Sequence, residues 1–408
     1  MAKRRKSASR SSVEWCIRIA LATVSIWIGY GAAVHELGYL LRDHAPEKAY
    51  ALSSHDGRIL AALSQQLSGP NADPADRRRA DALAHTALRM DPTAVAAVAT
   101  LGIDAAIRGD TTLARRIFTY SQRLSRRDLR TNIWAIEDAV SRNDVTGAMR
   151  QYDITLRTSR IAPDLLFPVL ASAISVADVR NAMVNTLILR PTWSDLFISY
   201  IAGNGEDPVM VAELFRALAG HGVTVSQGAQ AAVVNRLVAS RKMEAAWAYY
   251  ASVRNGVDRR KSRDPRFSDD ISDPAPFDWV PVDTGGGMVA IQYSSKGGAV
   301  DIAIPVTMGG LLLRQLQWLP AGRYVLESHA NGITQPAGSR PYWIVACSNG
   351  NPLAQIELPA FADTKGLSSE EFTVPSDCPV QSLSLFARPV DDVNGLSGQI
   401  DMISLRPR

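Results

Sequence analysis

Alanines stand at 80, 114, 148 and 182, each 34 residues after the one before. Aspartates at 110, 144 and 178 keep the same step, in the turns RGDTTLA, RNDVTGA and VADVRNA. Two more alanines, Ala212 and Ala246, are again 34 apart after a shift of four residues. A small residue at one place and a turn at another, repeated at this period, restricts the stretch to stacked helical hairpins. Close helix contact needs alanine, and the turn needs Gly or Asp.

The best unit runs from about 95 to 125, with Leu101-Gly102 on its first helix, Gly109-Asp110 at the turn, and Ala114 and Phe118 on the second. The unit before it contributes Ala80, Ala87, Leu88 and the closing Asp91-Pro92. This pattern resembles the tetratricopeptide repeat over residues 46–254, with the specific features in the first two or three units. The copy at 129–160 keeps Asp144, Ala148 and Tyr152 but lacks the Leu-Gly pair and the closing proline. The resemblance implies an α-solenoid of five or six hairpins that binds protein partners, with Ala80, Ala114, Ala148 and Ala182 as packing positions. A first helix is expected from Pro46 through Leu63, and Pro163, Pro168, Pro191 and Pro208 punctuate the later hairpins. Arg123, Arg126, Arg127 and Arg130 cluster at one connection. They read as a solvated face paired with Asp128, Glu137 and Asp138, the alternative being a site for an anionic polymer.

The N-terminus carries Lys3, Arg4, Arg5, Lys6 and Arg10, then a run from Trp15 to Val34 in which Arg18 alone is charged. Twenty such residues suffice for a helix to cross a hydrocarbon core of about 30 Å, and Arg18 can snorkel to the headgroups. Residues 1–12 therefore read as a basic cytoplasmic tail and 13–41 as a transmembrane signal anchor, with the bulk of the chain exported. A signal peptide cut after Ala33 is the alternative. Five of the 44 basic residues lie in this leader, which accounts for the net charge of +4. The exported body is close to neutral, which excludes a nucleic-acid footprint.

Residues 255–275 are charged, poor in large apolar side chains and marked by Pro265 and Pro274, as a linker or long surface connection would be. From residue 276 the period changes to two. Short apolar runs begin at 288, 300, 311, 324, 342, 353, 381 and 399, separated by turn residues such as Pro320-Ala321-Gly322. Eight such runs predict an antiparallel β-sandwich or jelly roll. The proline-glycine turn before Tyr324, the tryptophan strand ending at Cys347, Phe372 to Pro375 before Cys378, and a closing strand from Gly398 to Leu405 resemble a galactose-binding-type carbohydrate-binding sandwich. Sugar recognition needs a flat apolar ring to stack on a pyranose face and planar polar groups for its hydroxyls. The available rings are Trp279, Trp318, Tyr342 and Trp343, with Arg340, Gln335 and Asn331 in the adjacent loop; the same rings also suit a core.

Signatures of catalysis are absent from the sequence. His35-Glu36 opens like a zinc-protease motif, but Tyr39 stands where the second histidine belongs. There is no serine elbow and no phosphate loop, and the run Gly285-Gly286-Gly287 has no helix after it. Asp278, Asp283, Glu327, Asp391 and Asp392 are candidate carboxylates for glycan hydrolysis, each explicable as a turn acid. No metal and no cofactor are expected.

The whole reads as a multidomain α + β protein: one membrane helix, a hairpin solenoid, a linker and a β-sandwich. The arrangement resembles bacterial inner-membrane proteins whose bulk lies in the periplasm and serves polysaccharide assembly. The expected function is a non-enzymatic scaffold that binds protein and glycan. A purely protein-binding component of an envelope complex is the alternative, and a glycan-active hydrolase is a further one. Cys16 falls in the membrane run, which leaves Cys347 and Cys378 as a pair on the oxidising side; the alternative is two free buried thiols. A bridge would close a loop of about 30 residues and stabilise by roughly 3 to 4 kcal/mol on the chain-entropy model. Peptide mapping without reduction is expected to recover Cys347 and Cys378 in one cross-linked species, and finding both alkylated would refute the bridge.

Overall fold

The computed structural model describes residues 12–69, 71–283, 287–360, 365–389 and 395–408. The chain forms two compact units, one ending at Ala162 and the other running from Pro163 to Arg408. Helix α1 (Ser12–Leu41) has 30 residues and is long and apolar enough to cross a membrane. Its Trp15, Ile19, Trp27 and Tyr30 side chains are exposed. The basic residues at 3–10 lie outside the described residues.

The first unit continues with α2 (Pro46–Leu52), α3 (Gly57–Leu67), α4 (Pro74–Met90), α5 (Val95–Ile107), α6 (Thr111–Leu124), α7 (Leu129–Ser141) and α8 (Val145–Thr158). The single helix expected from Pro46 is divided in two. Asp56 accepts hydrogen bonds from the amides of Arg58 and Ile59, so the chain restarts a helix at Gly57. Asp73, Asp110, Asp128 and Asp144 cap α4, α6, α7 and α8 in the same way. Before two of these starts the backbone turns left-handed, at Gly109 (φ +80°) and at Asn143 (φ +56°), 34 residues on. Helices α3 and α4, α5 and α6, and α7 and α8 pack as pairs, and α3 also packs on α5 and α6 on α7. Ala80, Ala114 and Ala148 are buried on the second helix of each pair.

Gly102 shows why one position admits no side chain. A Cβ there would meet the Phe118 ring at 2.8 Å, and that ring cannot retreat, because it is buried and stacked on Trp134 with centroids 4.4 Å apart. The arginine cluster separates. Arg130 turns inward and donates to the Ser68 carbonyl (2.8 Å), closing the C-terminus of α3, while Arg123, Arg126 and Arg127 form no ion pair among the described residues. Asp138 is held by Arg115 (2.7 Å) and Arg142 (3.1 Å) instead; the hydrogen bond from Arg115 leads in keeping its carboxyl below the ordinary range.

In the second unit α9 (Ala162–Ala173), α10 (Ala177–Leu187), α11 (Ser194–Asn204), α12 (Pro208–Gly220), α13 (Gln227–Ala239) and α14 (Met243–Val253) precede the strands. Helix α12 packs on α10, α13 and α14, and α11 on α13. Ala212 and Ala246 are buried, whereas Ala182 is partly exposed. Asp178 lies within the first turn of α10, whose cap is Val176, so it does not continue the capping series.

The C-terminal part is an antiparallel β-sandwich. One sheet has the order β1 (Val280–Pro281), β4 (Gly310–Gln317), β9 (Gln381–Ala387), β6 (Tyr342–Cys347), β7 (Pro352–Glu357). The other has β2 (Met288–Gln292), β3 (Ala299–Ile304), β10 (Leu396–Pro407), β5 (Gly322–Asn331), β8 (Leu367–Val374). Inward residues of both, including Val300, Leu326, Trp343, Leu385 and Ile403, form one core. The eight apolar runs all fall on strands; β1 and β8 are additional. Strand β8 is an edge strand with only Phe372 and Val374 turned into the core, so its Ser- and Glu-rich sequence gives little alternation. Cys347, at the end of β6, is bridged to Cys378.

Residues 255–275 carry neither helix nor strand, yet they are fastened to the sandwich. Phe267 is buried in its core, the Ser262 amide donates to the Leu405 carbonyl (2.9 Å), and the Arg263 amide and carbonyl are both bound by the Gln315 side chain. Asp278, at 2% exposure, joins this segment to α14. Its carboxylate accepts from the Tyr250 hydroxyl at 2.6 Å, from the Ala275 amide at 3.0 Å and from Arg254 at 3.4 Å. Burial, then the neighbouring Asp278 charge, pushes the Tyr250 hydroxyl far above its usual range, so it stays protonated and donates. Around this pair Trp247, Tyr250 and Phe277 meet within 5.1 to 5.7 Å.

Two substitutions probe these contacts. Gly102→Ala gains about 1 kcal/mol of helix propensity but overpacks against Phe118 at a cost of about 1 to 3 kcal/mol. Thermal melting should show net destabilisation, relieved when Phe118→Leu is added. Asp278→Ala strands a buried Arg254 and should cost about 3 to 5 kcal/mol in denaturant unfolding; a loss under about 1 kcal/mol would mean that the pair behaves like a surface one.

Candidate functional site: the open face of the first sheet

Strand alternation separates the expected rings. In β6, Trp343 and Val345 point into the core, so Tyr342 and Ile344 point out. Trp343 is fully buried and its Nε1 donates to the Ser328 hydroxyl at 3.1 Å. Trp279, 3% exposed, packs on Trp343 and donates to the Asp264 carbonyl at 2.9 Å. Of the two readings open to these tryptophans, both take the core one, with Trp343 at 0% and Trp279 at 3% exposure. Trp318 is half-buried beneath the Arg259 guanidinium, 3.9 Å from the ring centroid, and beside Trp247. It belongs to the joint with α14.

Tyr342 remains on the surface, and Arg340 lies close to it. Register places Leu311, Phe386, Tyr342 and Glu357 in one row across β4, β9, β6 and β7. The next outward row is Arg314, Ser384, Ile344 and Gln355. Phe386 and Tyr342 are nearly parallel, 14° apart with centroids at 5.6 Å. The Arg388 guanidinium lies 4.5 Å from the Tyr342 centroid, pairs with Glu357 and donates to the Arg340 carbonyl at 2.9 Å. Glu357 also accepts from the Gly338 amide at 3.0 Å, which ties the 335–340 loop to the row. Arg340 in turn donates to the Gln335 carbonyl at 2.7 Å.

The result is an open face with two half-buried rings, a planar guanidinium–carboxylate pair and, one row on, the exposed Arg314 and Gln355. Apolar ring surface beside planar hydrogen-bonding groups is the combination a pyranose requires. The other loop candidates are elsewhere. The Gln335 side chain is buried and donates to the Gly395 carbonyl, and Asn331 donates to Asp401 beside His329, on the other sheet. Phe386, Arg388 and Glu357 were not singled out from the sequence. The signal for Phe386 was present, since in SLSLFA the leucines at 383 and 385 take the inward positions and leave the ring outside.

Of the candidate carboxylates, Asp278, Asp283 and Glu327 lie among the described residues. Asp278 is spent in the joint, Glu327 pairs with Arg406 at 2.8 Å, Asp283 follows β1, and Asp391 and Asp392 lie outside the described residues, as do Gly285 and Gly286. No group of three or more metal-ligating side chains occurs among the described residues.

No family model and no curated protein matches the sequence. Solved structures match about a third of the chain. A carbohydrate-binding module of Cellvibrio mixtus lichenase 5A, solved with cellotriose, matches at 12% identity and TM-score 0.20 over 31% of this chain and 92% of the module. The C-terminal module of the marine laminarinase LamC from Zobellia galactanivorans matches at 13% and 0.19, over 32% and 99%. The enzymatically active domain of tailspike protein 4 from bacteriophage CBA120 matches at 12% and 0.23, over 31% of this chain and 18% of its own length.

Proposed function

We propose that the protein is a non-enzymatic, membrane-tethered scaffold of the bacterial cell envelope that binds glycan through the open face of its sandwich and protein through tetratricopeptide-like hairpins. In this reading α1 stays attached as an inner-membrane anchor and the rest of the chain works in the periplasm, in assembly or export of a polysaccharide. The observation that carries the glycan role is the row of Phe386 and Tyr342 with the Arg388–Glu357 pair beside it. The regular burial of Ala80, Ala114 and Ala148 on the second helix of each pair supports the stacked-hairpin reading. A tether supports a scaffolding role by raising the local concentration of whatever the two parts hold. The Cys347–Cys378 bridge favours an oxidising compartment.

Affinity electrophoresis of the full chain in detergent, through gels containing acidic or neutral polysaccharides, tests the proposal. Retardation by at least one polymer is expected. Tyr342→Ala with Phe386→Ala should weaken it about tenfold, the value of roughly 1.4 kcal/mol of stacking, and the polymer should be recovered uncleaved. No retardation in any gel would leave the purely protein-binding reading, and cleavage would favour a hydrolase.

A further inference from the structure

The connections that precede α3, α5, α7 and α9, residues 53–56, 91–94, 125–128 and 159–161, are joined one to the next. Arg58 reaches from the start of α3 to Asp91 at 3.2 Å, the Tyr120 hydroxyl donates to the Pro92 carbonyl at 3.3 Å, and the Thr158 hydroxyl donates to the Arg126 carbonyl at 3.1 Å. They form one continuous edge of the first unit. Its first member lies against α1: a Cβ at Gly38 would stand 3.3 Å from Ile59 and 3.6 Å from Ser53, and the Tyr39 hydroxyl accepts from Arg58 at 3.4 Å. Gly38 follows Val34, the end of the apolar run, by one helical turn, a rise of about 6 Å. The headgroup layer is about 5 to 7 Å deep on each side of a bilayer, so this end of the edge stands at headgroup level when α1 spans.

The charge along the edge is not balanced. Arg89, Arg123, Arg126, Arg127 and Arg160 are exposed and form no ion pair among the described residues. The acids beside them are Asp91, paired with Arg58, and Asp56 and Asp128, which cap α3 and α7. Even with Asp56 and Asp128 counted at full charge the arginines are in surplus. Met90, Tyr120 and Ile161 are exposed among them. The turns at the other ends of these helices differ: between α5 and α6, and between α7 and α8, Arg108 and Arg142 are paired with Asp104 and Asp138.

We propose that this edge is a membrane-contact surface, lying on anionic phospholipid headgroups of the same bilayer that α1 spans; the inference rests on the anchor reading of α1. Unpaired guanidiniums take phosphate oxygens in bidentate hydrogen bonds. Each arginine close to an anionic surface strengthens attachment about fivefold, and the attraction falls off within a Debye length of about 8 Å. Met90, Tyr120 and Ile161 supply the apolar and aromatic contacts suited to the boundary between headgroups and acyl chains. An acidic polysaccharide would satisfy the arginines but offers no apolar layer to these three, and it would not explain why the edge begins at the exit of α1. The contact fixes how the first unit lies on the bilayer.

Hydrogen–deuterium exchange of the full chain reconstituted through α1 into nanodiscs tests it, comparing discs of phosphatidylcholine alone with discs that also contain phosphatidylglycerol. Amides within 91–94 and 125–128 should exchange at least about fivefold more slowly with the anionic lipid present, while the turns at 108–110 and 142–144 stay unchanged. Arg123→Gln, Arg126→Gln and Arg127→Gln combined, at exposed positions whose backbone contacts remain, should bring the two discs within about twofold. Equal exchange in both discs, a difference as large at 108–110 as at 125–128, or a difference that survives the triple substitution would overturn the inference. So would protection of 125–128 by added polygalacturonate with none from phosphatidylglycerol, which would assign the edge to an acidic glycan. Retention of the chain in the discs on size exclusion reports separately on α1: loss from both kinds of disc refutes the anchor, whereas retention without the exchange difference refutes the edge alone.

Discussion

A single buried carboxylate fixes the join between helix and sheet in the second unit. Asp278 has almost no solvent around it, and an isolated charge there would be untenable. It is tolerated because three donors from two places converge on it: the Tyr250 hydroxyl and Arg254 guanidinium from the end of α14, and the Ala275 amide from the connecting segment. Such a pair adds little net stability over an apolar contact, but its geometry is exacting. It selects one docking of α14 on the sandwich from the many that the aromatic cluster of Trp247, Tyr250, Phe277 and Trp318 would otherwise accept.

That join explains why the apparent linker is illegible. By composition, residues 255–275 look like a solvated connection, because their charged side chains outnumber large apolar ones. In the folded chain those charges are satisfied locally, Arg263 by Asp269 and Asp264 by the turn that follows it, and Phe267 alone supplies the anchor in the core. Composition averages over a segment, whereas one buried ring is enough to hold it.

The sandwich was largely readable, because alternation in β3, β6, β9 and β10 is enforced by one shared core. The same alternation assigns Trp343 inward and Tyr342 outward, so parity along the strand was the information needed to sort the rings. Trp279 and Trp318 flank strands rather than alternate within them, and no period reports their side. Among the helices, aspartate caps and buried alanines were legible at Asp110, Asp144, Ala114 and Ala148. The break after Leu52 was not read, although Asp56-Gly57 is a turn dipeptide, because the apolar run continues through Ile59, Leu60 and Leu63 on its far side; the Asp56 cap is what sets the restart.

The Cys347–Cys378 bridge has a consequence for how this protein would fail. Strand β7 is one margin of its sheet and β8 one margin of the other, with β1 and β2 at the opposite margins, and the chain between the two cysteines contains both β7 and β8. Open margins present unpaired amides and carbonyls on which a strand of another molecule can zip. Pinning the ends of that excursion keeps both margins seated on their own sheets. In a reducing environment the first hazard is therefore self-association through these margins, ahead of loss of the core, and it would worsen with concentration rather than with temperature alone.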